Sequence, residues 1–169
     1  SAACRNFGHV LAYREGFETI IALDYDCKVP PGGLADHLAA LRTGTFPAKR
    51  PVVDCGWINP VNAPGFYARG YPYELRNPVD SAMDDTTAEG EVKLHIGVWE
   101  KIVDLNGIDR YGHDAPYDPG LYADEPVVAL APTPVCGMNT SFRREVTPAY
   151  FFLPDLWVQD GSPGGWQLS

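Results

Sequence analysis

What this sequence does without narrows it before any motif is read. No apolar run approaches the ~18 residues that a helix needs to cross a bilayer, and the first residues lack the charged-then-apolar pattern of a secretory leader. A soluble, cytoplasmic protein with no membrane span is therefore expected. Basic residues are scarce: 13 Lys and Arg stand against 22 Asp and Glu, for a net charge of −9. Nucleic-acid binding rests on clustered cations that release counterions from phosphates, and no such cluster exists, so a nucleic-acid partner is excluded. The four cysteines, Cys4, Cys27, Cys55 and Cys136, have no CxxC spacing. Reduced thiols follow, in place of a zinc site or a disulfide framework. There is no internal repeat and no low-complexity tract.

What is there suits one compact domain over residues 1–169. With 45% hydrophobic and 12% aromatic residues, a chain of this length buries roughly 70% of the surface its unfolded form exposes. Apolar residues at Phe7, Val10 and Leu11 give a helical period from Ala2 to Arg14, and Gly16 stands where a C-cap belongs. Thr19 to Leu23 opens with three β-branched residues and reads as a buried strand. Residues 30–33, Pro-Pro-Gly-Gly, make a turn, after which Leu34, Leu38 and Leu41 resume a helical period. Residues 51–57, 92–98 and 127–130 read as further strands. Residues 111–121 read as loop, and 16 Pro with 17 Gly announce long ordered loops of the kind that carry function.

The strand at Thr19 ends in an unusual way, with Leu23 followed by Asp24, Tyr25 and Asp26. In an extended chain Asp24 and Asp26 share a face and Tyr25 takes the other. Two carboxylates at ~4 Å repel by roughly 4 kcal/mol at an effective dielectric near 20, so a cation between them is expected. Oxygen ligands at a strand's carboxyl end suit Mn²⁺ or Mg²⁺ bound to a substrate diphosphate. Taken alone, the pair reads more readily as a solvated turn begun by Asp26 and capped by Asp24.

The context is specific. Arg5-Asn6-Phe7-Gly8 on the first helix, ahead of the acidic pair, resembles the middle of nucleotide-sugar-dependent glycosyltransferases of the GT-A fold. The segments Arg69-Gly70-Tyr71-Pro72-Tyr73-Glu74-Leu75-Arg76, Gly97-Val98-Trp99 and Cys136-Gly137-Met138-Asn139 follow in order. Together they resemble the reversibly glycosylated polypeptide family, whose members include UDP-arabinopyranose mutases. The likeness runs from Ser1 to about Phe152.

The resemblance implies a GT-A-like (Rossmann-like) α/β fold, a three-layer sandwich with a mixed sheet, truncated at both ends. It implies a UDP-sugar substrate, Mn²⁺ or Mg²⁺ as cofactor, interconversion of UDP-arabinopyranose with UDP-arabinofuranose, and a homo- or hetero-oligomer with family members. By position, Asp24 and Asp26 match the metal-binding motif, Arg69 the arginine that becomes glycosylated, and Arg76 a second arginine tied to activity. Arg5, Asn6, Asp24, Cys136, Gly137 and Asn139 fall in the segments expected to bind substrate. The family usually reads Asp-Asp-Asp where this chain has Asp24-Tyr25-Asp26, so only the outer pair carries over. The stretch between Asn77 and Lys93 is read as a loop, longer and more acidic than the family's. Too few residues precede Asp24 to build the first βαβ unit on which a uridine rests, so a central fragment, inactive alone, is expected.

The arginine segment also has a chemistry of its own. Gly70 and Pro72 place Arg69 on a turn that exposes its side chain. A guanidinium there clamps a diphosphate bidentately, or accepts a sugar if a carboxylate such as Glu74 polarises it. The bland reading is an ion pair with a surface acid. Two further functions remain open: a glycosyltransferase acting on a separate acceptor, and a non-catalytic UDP-sugar-binding regulatory subunit. Residues 104–109 hold aspartates and a glycine but lack the spacing of a calcium loop, and His9, His37, His95 and His113 show no paired ligand spacing.

Overall fold

The computed structural model describes residues 2–54, 56–61, 65–97, 105, 126–135 and 137–150, together with the backbone of 156–157 and 163–164. Cys55, Val98, Trp99, His113, Cys136 and the loop 111–121 lie outside the described residues, as do residues 104–109 apart from Leu105. The chain is mixed α/β and divides into two compact units, Ser1–Arg42, Lys93–Ile96, Gly137–Ser169 and Thr43–Val92, Gly97–Cys136. In place of one mixed sheet the described residues form two three-stranded sheets. Among them no helix is long and apolar enough to cross a membrane.

The first unit contains helix α1 (Ala2–Arg14), strand β1 (Thr19–Leu23), helix α2 (Gly33–Ala40), strand β4 (Leu94–Ile96) and strand β6 (Asn139–Arg143). Helix α1 ends as its sequence foretells. Gly16 at φ 83° donates to Tyr13 O at 3.2 Å and Phe17 N to Ala12 O at 3.2 Å, the paired bonds of a Schellman motif, whose left-handed residue favours glycine. The sheet is antiparallel in the order β1-β6-β4, with Leu23 opposite Asn139 and His95 opposite Ser141.

Alternation along β6 sends Thr140 and Phe142 to one face and Asn139 and Ser141 to the other. His9 of α1 meets Phe142 edge-on at 5.2 Å, while His37 of α2 bonds Asn139 and Ser141. Helix, sheet and helix are therefore layered, with β6 in the centre. The inward faces of the helices correct the apolar reading of the sequence. Phe7, Val10, Leu11, Leu34 and Leu38 are exposed, and His9 and His37 are buried. Hydrogen bonds to Asn139 and Ser141 of β6 offset the cost of burying the His37 ring, whereas His9 packs its ring against Phe142 and Tyr150.

The second unit centres on strand β2 (Thr43–Pro51), antiparallel to β3 (Met83–Glu91) and parallel to β5 (Val128–Ala129). Two expectations fail here. The described part of residues 51–57 is not a strand: Pro51 closes β2, and Gly56 N turns back to Val53 O at 3.1 Å. The acidic stretch read as loop is largely β3. Prolines at 47 and 51 hide β2 from a propensity reading, but its period of two survives, with Phe46 and Ala48 buried. The acids of β3 have a structural reason in the cross-strand pairs Lys49–Asp85 at 2.7 Å and Arg50–Asp84 at 3.5 Å. A short antiparallel pairing of β7 (Leu156–Trp157) with β8 (Pro163–Gly164) belongs to the first unit.

Candidate functional site

The end of β1 and the start of β6 are neighbours by register, and polar groups converge there. Asp24 N donates to Met138 O at 3.0 Å, continuing the strand pairing past Leu23. Cys27 N then returns to Asp24 O at 3.0 Å. The acidic motif is therefore a tight turn and not an extended tip, so the two carboxylates do not alternate as in a strand. Tyr25 and Asp26 are exposed on this turn, and Asp24 is half-buried.

The cation expected beside the acids is supplied in part by the protein. Arg5 of α1 forms an ion pair with Asp24 through Nη2, and its Nη1 donates to Gly137 O at 2.7 Å. One planar guanidinium thus ties the helix to both strand ends, a use of the fork that lysine does not match. Asn6 lies beside it on α1, half-buried. Cys27 Sγ contacts Met138 O at 3.6 Å. Burial and the Asp26 carboxylate push its thiol pKa up, against the pull of Arg5. Cys27 is accordingly held as a thiol.

Asn139 continues the site onto α2. His37 Nε2 lies 2.7 Å from Asn139 Oδ1 and Nδ1 lies 2.9 Å from Ser141 Oγ. His95 Nδ1 approaches His37 Nδ1 at 3.0 Å. Sequence spacing gave no sign of this histidine pair, whose members stand 58 positions apart and meet only through β4, β6 and α2. Burial first, and then the neighbouring His37, lower the His95 pKa to about 4, against a raising effect of Asp36.

Arg69 and Arg76 belong to the second unit. Asn59, 7% exposed, braces their loop by donating to Phe66 O at 2.8 Å and accepting from Val61 N and Ala68 N at 3.2 Å each. Tyr71 N closes onto Ala68 O at 3.0 Å, so Arg69 and Gly70 form the corner of a β-turn. Gly70 has φ 92°, the left-handed value demanded at the third position of a type II turn. Arg69 is exposed at the second. Arg76 turns inward: Nε and Nη2 donate to Tyr71 O at 3.3 and 3.1 Å, and the guanidinium lies over Tyr73 at 3.9 Å. Its contacts fit bracing of the turn.

The sites read from sequence thus fall into two sets. Arg5, Asp24 and Gly137 meet in the first unit, with Asp26 on the adjacent turn and Asn139 opposite Leu23 with its side chain on His37, and Arg69 and Arg76 lie on one loop of the second; Cys136 is outside the described residues. Among the described residues no group of three or more His, Cys, Asp and Glu side chains is arranged to hold a metal. Both carboxylates sit on one turn, Asp24 paired with Arg5 and Asp26 exposed, so a hard cation there would have to draw its remaining oxygen ligands from elsewhere. The two carboxylates do not make a cage for a resident metal.

Comparison with known proteins gives distant relatives. UDP-arabinopyranose mutase 1 of Arabidopsis thaliana is 26% identical over 170 residues, covering 97% of this chain and 43% of that protein. Probable UDP-arabinopyranose mutase 1 of Pisum sativum is 26% identical over 171 residues, covering 97% of this chain and 42% of that protein. UDP-arabinopyranose mutase 2 of Arabidopsis thaliana matches at 26% over 170 residues, 97% and 42%. The chain spans less than half the length of these relatives. No family model matches it.

Proposed function

We propose that this chain is the central part of a UDP-sugar mutase on a GT-A-like fold, interconverting UDP-arabinopyranose and UDP-arabinofuranose through a transient sugar bond to Arg69. The observation that carries the reading is that Arg5 joins Asp24 to the Gly137 carbonyl, 132 positions away, beside the Leu23–Asn139 strand pair, in a chain aligned over 97% of its length with proteins named as such mutases.

Arg5 fixes the Asp24 carboxylate and the Gly137 carbonyl, and Asn6 follows it on α1. Gly137 lets the backbone approach a ligand, Cys136 precedes it in the same binding segment, and the Asn139 amide bonds a sugar hydroxyl. Asp24 and Asp26 would hold Mn²⁺ or Mg²⁺ carried on the diphosphate, which when bound neutralises the charge of the departing UDP. In the reaction the anomeric C–O bond breaks and its electron pair leaves on UDP. An Arg69 guanidinium nitrogen bonds the anomeric carbon and passes its proton to a carboxylate, Glu74 being the near candidate in sequence. The ring oxygen then leaves the anomeric carbon and takes the proton of the C4 hydroxyl, whose oxygen closes the smaller ring. UDP re-forms the anomeric C–O bond, the guanidinium nitrogen departs and its proton returns. Arg76, braced on Tyr71 and Tyr73, holds the turn that presents Arg69. The protein works in the cytoplasm as a homo- or hetero-oligomer with related chains.

The test is product analysis after incubating the intact protein with UDP-arabinopyranose and Mn²⁺. UDP-arabinofuranose is expected. Sugar moved to a separate acceptor would instead make it a conventional glycosyltransferase, and nucleotide binding without turnover a regulatory subunit; either outcome sinks the mutase reading.

A further inference from the structure

The histidine pair behind Asn139 has no part in the reaction above, yet its geometry fixes what Asn139 can recognise. A carboxamide oxygen only accepts hydrogen bonds, so the 2.7 Å contact with Asn139 Oδ1 places a proton on His37 Nε2. His37 Nδ1 then faces two groups that can meet it in either protonation state. Ser141 Oγ at 2.9 Å donates or accepts, and so does Nδ1 of His95 at 3.0 Å, whose ring stays neutral at ordinary pH because its pKa is lowered to about 4. His37 is thus held from behind by two partners, and its edge toward Asn139 is always a donor.

Hydroxyl, imidazole and amide in a row suggest the arrangement that activates a serine nucleophile. Ser141 is 0% exposed and so is out of reach of any substrate. The row therefore works toward its other end, the half-buried Asn139 at the start of β6.

We propose that His37 is a positioning residue that locks the Asn139 carboxamide with its oxygen turned to the protein and its NH₂ group given to the ligand. This edge of the site then accepts a sugar oxygen only as a hydrogen-bond acceptor. The inference rests on the UDP-sugar reading and deepens it, naming the group that distinguishes the sugar nucleotide from UDP. An asparagine with a free amide presents oxygen or nitrogen at will, whereas a locked one leaves a buried donor unsatisfied against a ligand that lacks the acceptor.

Calorimetry on the intact protein with UDP and with UDP-arabinopyranose tests it. His37→Leu should weaken UDP-arabinopyranose about tenfold, the loss of one well-formed hydrogen bond, and leave UDP unchanged. His37→Gln, whose amide nitrogen reaches the place of Nε2, should restore most of the affinity. Equal loss for both nucleotides, or no loss for either, overturns the proposal. Nitrogen NMR of the unmutated protein gives a readout that no folding defect can blur: protonated Nε2 on His37 is expected, and an Nδ1–H tautomer with bare Nε2 refutes the lock. Affinities that split in this way in a protein that turns over no substrate would break the mutase reading and keep this one.

Discussion

The turn bearing Arg69 and the polar centre around Asp24 are placed by opposite means. Around Arg69 the bracing bonds span 2 to 9 positions, from Asn59 to Val61, Phe66 and Ala68 and from Arg76 to Tyr71. Around Asp24 and Asn139 the side-chain bonds that reach β6 and the residues just before it, from Arg5, Cys27 and His37, span 102 to 132 positions. A locally braced turn forms wherever its few residues are present. The polar centre exists only when β1 and β6 pair in register, because a slip of one residue would carry Asn139 and Ser141 to the face now held by Thr140 and Phe142.

The comparison breaks most visibly at Arg69. With a radiolabelled UDP-sugar the intact protein should carry label that Arg69→Ala abolishes, with turnover falling more than about a thousandfold, as when a covalent nucleophile is removed. Arg69→Lys should fail as well, since an ammonium lacks the planar fork. Thermal stability should stay within about 0.5 kcal/mol, the usual range for an exposed residue. Label that persists in the alanine variant moves the acceptor elsewhere.

A substitution in the convergent centre should cost binding and folding together. Asp24→Asn removes the partner of Arg5 and one proposed metal ligand, so Mn²⁺-dependent UDP affinity should fall about tenfold to a hundredfold, with a lower melting temperature. Equal UDP affinity in chelator and in Mn²⁺ would refute the metal assignment.

Acid should strike the same unit next. The folded pKa of His95, about 4, lies below its ordinary 6.5, so between these values the unfolded chain binds the proton that the folded chain refuses. Stability is then complete above pH ~6.5 and declines as pH falls toward ~4, by at most about 3 kcal/mol. The groups acting on His95 are His37 and Asp36 from α2, and burial dominates. His9, lowered by its own burial and by Arg5, adds in the same direction. Denaturant unfolding at pH 7 and pH 5 should show the decline, and His95→Phe should flatten it. An unchanged slope would remove His95 as its source.

The smallest effect belongs to the acidic ribbon. Asp85→Asn breaks the ion pair with Lys49, where the Asp85 side chain is 86% exposed. The expected loss is below about 1 kcal/mol and vanishes in high salt. A larger loss would mean that these acids do more than pair across the strands.

The difference between the two regions is also the difference in what could be read. The Arg69-Gly70 corner was legible because a positive φ at the third turn position is a local demand that glycine meets. The Schellman end of α1 and the strand Thr19–Leu23 were legible for the same kind of reason. The inward faces of α1 and α2 were not. An apolar stripe at Phe7, Val10 and Leu11 marks the buried side of most helices. Here His9 takes that place, because Phe142 and Tyr150 offer it aromatic faces at 5.2 and 6.0 Å. Strand β3 was hidden by its acids, whose partners Lys49 and Arg50 lie 36 and 34 positions away.

By itself, the sequence determined the elements that obey nearest-neighbour chemistry: a helix closed by glycine, a β-branched strand, a glycine turn, and motifs that resemble those of sugar-nucleotide enzymes. Tertiary structure decided which of those residues meet. The acidic pair becomes a turn, with Asp24 on Arg5, because Met138 extends the β1–β6 ladder past Leu23 and Cys27 then closes back on Asp24. Two histidines 58 positions apart become one hydrogen-bonded unit behind Asn139. Pairing over such distances follows from strand register and burial, which depend on the whole folded chain and leave no period or spacing in the sequence.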